Sequence, residues 1–468
     1  MLKTLKNIKT IYFLGDGYGI RGGANYFLCL INYLLENTNV SVGLIDLKDG
    51  YINKQLNNKN IKFINYADSE WNIEPNSVIF CPAERLCLLK PLKKSDYRDS
   101  IKIITIVWET KIAWGCLYPP SHLRRFANLL YKTNSIMFMD LGCKIATESK
   151  YQLNRKFKPN YLPLYFRNNT NIDLVNKNII NENEYNVAWL GRLSDSKCFS
   201  LLNLIKKYNN IKTDKKKKLH IIGDGLYRET LEKRIEKIEN LDVEIIFKGI
   251  LKDRELDNYL TNNVDILFAM GTAMLNGASL HLPVAGVSET GNSKLDLDKF
   301  ICLFNEEGLQ LGLPDTKNLI NKINPKAQIL QTILNEIYCE FKKEDIGELC
   351  YQYYSKTYTD LDSIVNTLFE YINNSNLTYK NLYRLFKELP FVNILHTNVV
   401  ICKIPLFQII RKRCSTIYKF LGIRFLKRIK YGKYGCKYKL FGLFTILKIE
   451  TIGRYNFPNI FSKKLNKQ

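Results

Sequence analysis

The chain has 468 residues, 46% hydrophobic and 24% charged, which excludes global disorder and sets two domains plus an appendage as the expectation. Its formal net charge is +24, of which 401–468 carries +16, with 17 Lys or Arg against the single acid Glu450. The first 400 residues carry only +8, so a mildly basic, enzyme-like body joins a tail suited to an anionic surface, lipid or nucleic acid.

Residues 10–14 are a short apolar run that predicts a strand. A glycine-rich loop, Gly15-Asp16-Gly17-Tyr18-Gly19-Ile20-Arg21-Gly22-Gly23, follows, and the apolar segment 24–35 predicts a helix. Strand, glycine loop and helix open a doubly wound domain, although a flexible turn is an equal reading of a lone glycine-rich loop. Strand-like runs recur at 40–45, 61–64, 78–81 and 101–107, with helical patterns between the later ones, as in a parallel sheet covered on both faces. Glu109 lies just past the fifth run, where such a sheet presents its strand ends to a cleft, and is a candidate acceptor-side group or a surface carboxylate. Residues 135–139 and 144–153 complete this half, and the Asn- and Asp-rich stretch 168–184 reads as a linker.

The second half opens on a strand at 185–190, a turn Gly191-Arg192-Leu193, and a helix starting near Lys197. The lysine run 215–218 reads as a solvated turn, 219–222 as the next strand, and Gly223-Asp224-Gly225 as a second glycine turn before a helix. Strands that end in glycine turns opening onto helix N-termini suit a phosphate-bearing ligand. Further strands are predicted at 243–247 and 264–268, with a helix over 253–260 between them. Thr272 is then placed to cap the following helix. Asn276, one turn on, is polar on an apolar helix and suits either a sugar hydroxyl or neighbouring backbone.

These residues resemble the nucleotide-binding domain of GT-B glycosyltransferases, closest to glycosyltransferase family 4. The matches run in family order over about 110 residues: Gly191-Arg192-Leu193 with Lys197, Ile222-Gly223-Asp224-Gly225 with Arg228, Phe247-Lys248-Gly249, Asp265-Ile266-Leu267 and Leu282-Pro283-Val284. Gly22-Gly23-Ala24 resembles the loop at which the acceptor domain faces the donor. The resemblance implies two Rossmann-like domains facing a cleft, with a basic C-terminal extension. Its boundaries would be 1–167, a linker at 168–184, 185–345, a return helix at 346–372 and a basic amphipathic tail at 373–468.

The resemblance further implies a hexosyltransferase using a nucleoside-diphosphate sugar, with retention at the anomeric carbon, no metal and no other cofactor. Its acceptor would be a glycan or lipid-linked glycan of surface polysaccharide or lipopolysaccharide. Arg192 and Lys197 would hold the leaving diphosphate, and two cations there neutralise developing charge. Gly191, Gly223, Asp224, Gly225, Thr272 and Asn276 would bind the donor, and Gly22, Gly23 and Glu109 would line the acceptor side. One departure stands out: the family's two glutamates, with seven residues between them, fall on Phe268 and Asn276. An amide keeps a hydrogen bond but loses its charge-assisted part. A non-catalytic binding module on the same fold is therefore the alternative.

Twelve cysteines with no C-x-x-C pair, four histidines and no secretory signal predict reduced cytosolic thiols and no zinc site. In the tail, 391–410 is apolar but interrupted by His396, Lys403 and Pro405, which favours an interfacial segment over a span. The expected location is peripheral, on the cytoplasmic face of a membrane. Nucleic acid is the rival partner for the tail, without any RNA-binding module signature.

Overall fold

Strand β1 (Thr10–Leu14) is buried at all five positions, as a parallel strand covered on both faces must be. In this computed structural model it starts a six-stranded sheet followed by a second, seven-stranded one. The structure describes all residues except 1–2, 16–21, 57–59, 90–91, 93–95, 109–119, 152, 154–159, 167–182, 289–297, 315–319, 322, 341, 389–396, 451–468 and the connections between the strands of 397–450.

The first sheet holds β1, β2 (Ser41–Asp46), β3 (Lys62–Asn65), β4 (Ser77–Pro82), β5 (Ile101–Val107) and β6 (Ile136–Phe138). All pairs are parallel, and the order is β3-β2-β1-β4-β5-β6. Helices α1 (Gly22–Asn37), α2 (Tyr51–Gln55), α3 (Pro120–Lys132) and α4 (Leu141–Tyr151) connect these strands. Phe13, Phe27 and Phe80 pack at centroid distances of 5.0–5.7 Å between α1 and the sheet.

The second sheet runs β13-β12-β11-β10-β7-β8-β9. Its strands are β7 (Glu184–Leu190), β8 (Lys216–Ile222), β9 (Glu244–Gly249), β10 (Ile266–Ala269), β11 (Val284–Gly286), β12 (Lys299–Cys302) and β13 (Gln328–Ile329). β7 to β11 are parallel to one another, and β12 and β13 are antiparallel additions. Helices α5 (Asp195–Asn209), α6 (Arg228–Ile235), α7 (Asp253–Asn263), α8 (Thr272–Ala278) and α9 (Leu330–Tyr338) complete this half.

The lysine run 215–218 is not a solvated turn, because β8 starts at Lys216 and Lys217 is buried. The Lys217 ammonium donates to the carbonyls of Asn209 (2.9 Å) and Ile211 (3.1 Å), satisfying the C-terminal end of α5 that its stem packs beside. His220, on the same strand, shares a 2.6 Å hydrogen bond through Nδ1 with the Tyr259 hydroxyl. Desolvation, with Lys248 and Lys218 nearby, pushes its imidazole down to about 4. Between that value and the free value near 6.5 the unfolded chain binds the extra proton, so stability rises with pH across this window and is level above it. The effect is at most about 3 kcal/mol. His220→Gln is expected to flatten the pH 4–6.5 limb of the unfolding free energy, measured by urea titration; an unchanged slope would assign that limb to other groups.

The helix expected over 346–372 is two helices, α10 (Lys343–Tyr358) and α11 (Leu361–Asn374). The break falls where the Asp360 side chain accepts from the Ser363 N–H at 3.0 Å and caps α11. α10 lies on the second half, where a Cβ at Gly347 would meet the His281 carbonyl at 2.1 Å. α11 lies on the first half: the Asn373 amide donates to the Thr4 carbonyl (2.9 Å) and Lys102 Nζ to the Ile372 carbonyl (3.0 Å). The Ile103 N–H donates to the Leu377 carbonyl at 2.9 Å just beyond it. α12 (Tyr379–Glu388) follows.

The tail takes regular secondary structure over its described residues. It is a six-stranded antiparallel sheet: β14 (Thr397–Ile401), β15 (Ile404–Lys412), β16 (Ser415–Phe420), β17 (Ile423–Tyr431), β18 (Gly435–Leu440) and β19 (Phe444–Glu450). β-branched and aromatic residues between closely spaced turn positions favour hairpins over a helix here. Among the described residues, no helix is long and apolar enough to cross a membrane.

Candidate functional site

In the second sheet β7 sits between β10 and β8, with Leu190 paired to Ala269 on one side and Ile222 on the other. The chain leaves β7 toward β8 through α5, and leaves β10 toward β11 on the opposite side through α8. β7 and β10 therefore flank the topological switch point, where open α/β sheets bind ligands beyond their strand ends. Gly191, Arg192, Lys197, Thr272 and Asn276 all lie on the two segments that leave these strand ends. Arg192 is exposed on the turn, and Lys197 is half-buried in the first turn of α5. Ser194 holds the N-cap position of this 15-residue helix but makes no side-chain cap bond. Two basic residues and the positive end of a helix dipole thus lie on one short segment beyond β7.

Gly223, Asp224 and Gly225 form a clasp on that segment. A Cβ at Gly223 (φ +127°) would meet the Gly191 carbonyl at 2.3 Å, and one at Gly225 would meet the Leu193 carbonyl at 2.3 Å. Glycine is required because two backbones approach this closely. The Leu193 N–H donates to the Asp224 carbonyl and the Gly191 N–H to that of Ile222, both at 3.0 Å. The Gly223 N–H reaches the Gly249 carbonyl (2.6 Å), and the Gly225 N–H reaches Asp224 Oδ1 (2.7 Å). With those N–H groups used internally, the second glycine turn fixes the shape of the Arg192 turn. Arg228 is likewise engaged, with Glu232 at 3.0 Å and the Phe247 ring at 5.0 Å.

At the β10 side, Gly271 (φ +65°) occupies the N-cap position expected for Thr272, which is exposed and first in the helix. The backbone turns there through the left-handed region, which threonine resists. The Asn276 amide donates to the Thr272 carbonyl at 3.3 Å, so one of its groups bonds local backbone. Phe268 lies inside β10, fully buried and edge-on to Phe300 at 5.3 Å, so position 268 belongs to the core.

Sequence reasoning missed Glu306. Its Oε1 accepts from the Gly312 N–H at 3.0 Å, and a Cβ at Gly286, the last residue of β11, would meet that oxygen at 2.9 Å. The next carbonyl back, Leu311, accepts from the Gly271 N–H at 2.7 Å, so this loop braces the start of α8. Burial, opposed by the Gly312 hydrogen bond and reinforced by Asp140, pushes the Glu306 carboxyl well above the usual range. Glu306-Glu307-Gly308 together with Gly312, both glycines at positive φ, was the available signal.

In the first sheet the switch point lies between β1 and β4. Gly22 and Gly23 open α1 there. A Cβ at Gly22 would meet nothing within 4 Å, whereas one at Gly23 would meet the Trp108 ring at 2.8 Å. Trp108 packs on Phe27 (5.2 Å), and its indole N–H donates to Glu84 at 3.3 Å. Gly23 is thus small for packing, while Gly22 faces open space. Glu109 lies outside the described residues, as does most of the linker expected at 168–184.

No family model and no curated protein matches the chain. It is similar to solved structures of Anabaena HepE in complex with UDP and glucose (14% identity, 81% of this chain and 100% of that one, TM-score 0.46). It is also similar to the apo form of the lipopolysaccharide outer core galactosyltransferase WaaB (15%, 81% and 100%, TM-score 0.47). A third similar structure is a variant of S. aureus TarM in complex with Fondaparinux, alpha-GlcNAc-glycerol and UDP (12%, 78% and 100%, TM-score 0.47). The chain's own strand orders and switch points define the fold class: two doubly wound α/β halves in series, with a pair of C-terminal helices reaching from the second half back to the first.

Proposed function

We propose that this chain is a glycosyltransferase of the GT-B class that moves a hexosyl unit from a nucleoside-diphosphate sugar to a glycan or lipid-linked glycan acceptor. The observation that carries this reading is the β7/β10 switch point, with Arg192 on the turn after β7 and Lys197 in the first turn of α5. Charge grows on the leaving diphosphate as the glycosidic bond breaks. Two fixed cations and a helix dipole stabilise that charge more in the transition state than in the ground state. The proposed chemistry uses no metal and retains the anomeric configuration. Thr272 and Asn276 would face the nucleoside, and Gly22 would leave room for the acceptor.

We place the reaction in surface polysaccharide or lipopolysaccharide assembly, with the protein held at the cytoplasmic face of a membrane by its basic tail. A thermal-shift series with UDP, GDP, ADP and CDP tests the donor site. A diphosphate at a hundred times its Kd should add about 2.7 kcal/mol of stability, a rise of about 5–10 °C in a domain of this size. No response to any of the four would remove the donor site. Asn276 in place of a carboxylate favours a second reading, a binding module without turnover; product formed from any nucleotide sugar excludes it.

A further inference from the structure

The strands of 397–450 follow one scheme three times. β14–β15, β16–β17 and β18–β19 are hairpins closed by Ile401 opposite Ile404, Phe420 opposite Ile423 and Leu440 opposite Phe444. In each, the pairing skips the third residue of the second strand: Leu406, Phe425 and Ile446 are bulged. All three bulged residues are apolar. Each adds one apolar residue to one side and restores the alternation beyond it, so the register of polar positions survives.

That register sorts the sheet. One cross-strand row reads Ile409, Tyr418, Leu426, Leu440 and Phe444, uninterrupted by charge across five strands. The rows of opposite parity contain Lys412, Lys419, Arg424, Lys427, Lys437, Lys439 and Lys448, seven basic positions, with Glu450 the one acid at their far end. Three of the pairings set like charges opposite each other: Lys419 with Arg424, Lys427 with Lys439 and Lys437 with Lys448. Directly opposed like charges destabilise an antiparallel pair. Three such pairs on one face, none on the other, are the pattern of a surface whose counter-charge comes from outside the sheet.

We propose that this basic face of 404–448 is the docking surface of the protein for anionic lipid headgroups. Six of the seven cations are lysines, point charges suited to a diffuse field, where Arg would favour bidentate partners. The paired positions among them are Gln408, Ile410, Ser415, Ile417, Ile429, Tyr431, Gly435 and Thr445, with Tyr431 a single ring where single-stranded nucleic acid stacks successive bases on several. This deepens the membrane placement above and stands apart from the donor site, so either can fail alone.

The test uses the full chain and co-sedimentation with vesicles of phosphatidylcholine, with or without 30 mol% phosphatidylglycerol, at about 0.1 M salt where screening is moderate. Two variants remove the same charge from opposite faces: Lys419→Gln with Lys427→Gln and Lys439→Gln, against Arg411→Gln with Arg428→Gln and Lys430→Gln. The first should lower partition onto anionic vesicles about a hundredfold, and the second by less than a tenth of that factor. Neutral vesicles should bind neither variant nor the parent. Removing opposed like charges relieves repulsion, so the first variant should fold, as far-UV circular dichroism will register. Equal losses in both variants, parent binding to neutral vesicles, or tighter binding to single-stranded RNA than to anionic vesicles would each overturn the proposal.

Discussion

Replacing Arg192 or Lys197 with alanine is expected to lower kcat/KM for the nucleotide sugar by about 10²–10³-fold, with most of the loss in kcat. Both cations act on charge that appears only as the diphosphate departs, so ground-state binding should weaken less than turnover. Arg192 is exposed and Lys197 half-buried at the start of α5, so each substitution should change the unfolding free energy by no more than about 0.5 kcal/mol. The double variant should lose less than the product of the single losses, because the two groups neutralise the same charge. Arg192→Lys should recover part of the rate but not the planar, bidentate geometry. Steady-state kinetics with the sugar nucleotide that gives the largest thermal shift checks all four variants. Unchanged kcat/KM in both alanine variants would mean that the chemistry lies elsewhere.

The two halves were legible because their determinants are local and steric. Apolar runs ending in glycine turns leave few alternatives to a parallel sheet, and the requirement at Gly223 and Gly225 comes from carbonyls only 2.3 Å from a would-be Cβ. Their role was less legible. A glycine turn before a helix reads as a phosphate cradle, but the clasp spends its Gly223 and Gly225 N–H groups on Gly249 and Asp224. Lys217 was misread for a different reason: a charge run looks solvated until one member finds two helix-end carbonyls.

Glu306 was hidden by distance along the chain. Glu306-Glu307-Gly308 and Gly312 mark a turn, but nothing near them announces that Gly286, in a strand well upstream, will meet the Glu306 carboxyl. The tail concealed its strands because bulges at Leu406, Phe425 and Ile446 break the period of two that marks a strand. Its composition showed basic and apolar residues mixed, but not the strands that carry them.

Asp265→Ala is expected to cost about 3–5 kcal/mol, the largest stability effect among these variants, because it breaks a buried ion pair from one side. The Asp265 carboxylate is fully buried and accepts from Lys343 Nζ at 2.8 Å, the Tyr338 hydroxyl at 3.0 Å and the Asn186 N–H at 3.2 Å. Alanine leaves the Lys343 ammonium, itself buried, without its counter-charge. It also strips an acceptor from Tyr338, whose ring stacks on Tyr185 at 3.8 Å. Adding Lys343→Met to Asp265→Ala should restore part of the loss by removing the uncompensated charge, although Met alone at 343 would strand the carboxylate. Urea unfolding of the two single variants and the double variant completes the cycle; a cost below about 1 kcal/mol for Asp265→Ala would refute the buried-pair account. The network ties the start of β10 to the first turn of α10, at the opposite end of the strand from Gly271 and Thr272. Folded Asp265→Ala protein at low temperature should therefore still respond to a nucleoside diphosphate, which separates an anchoring role for Asp265-Ile266-Leu267 from a chemical one.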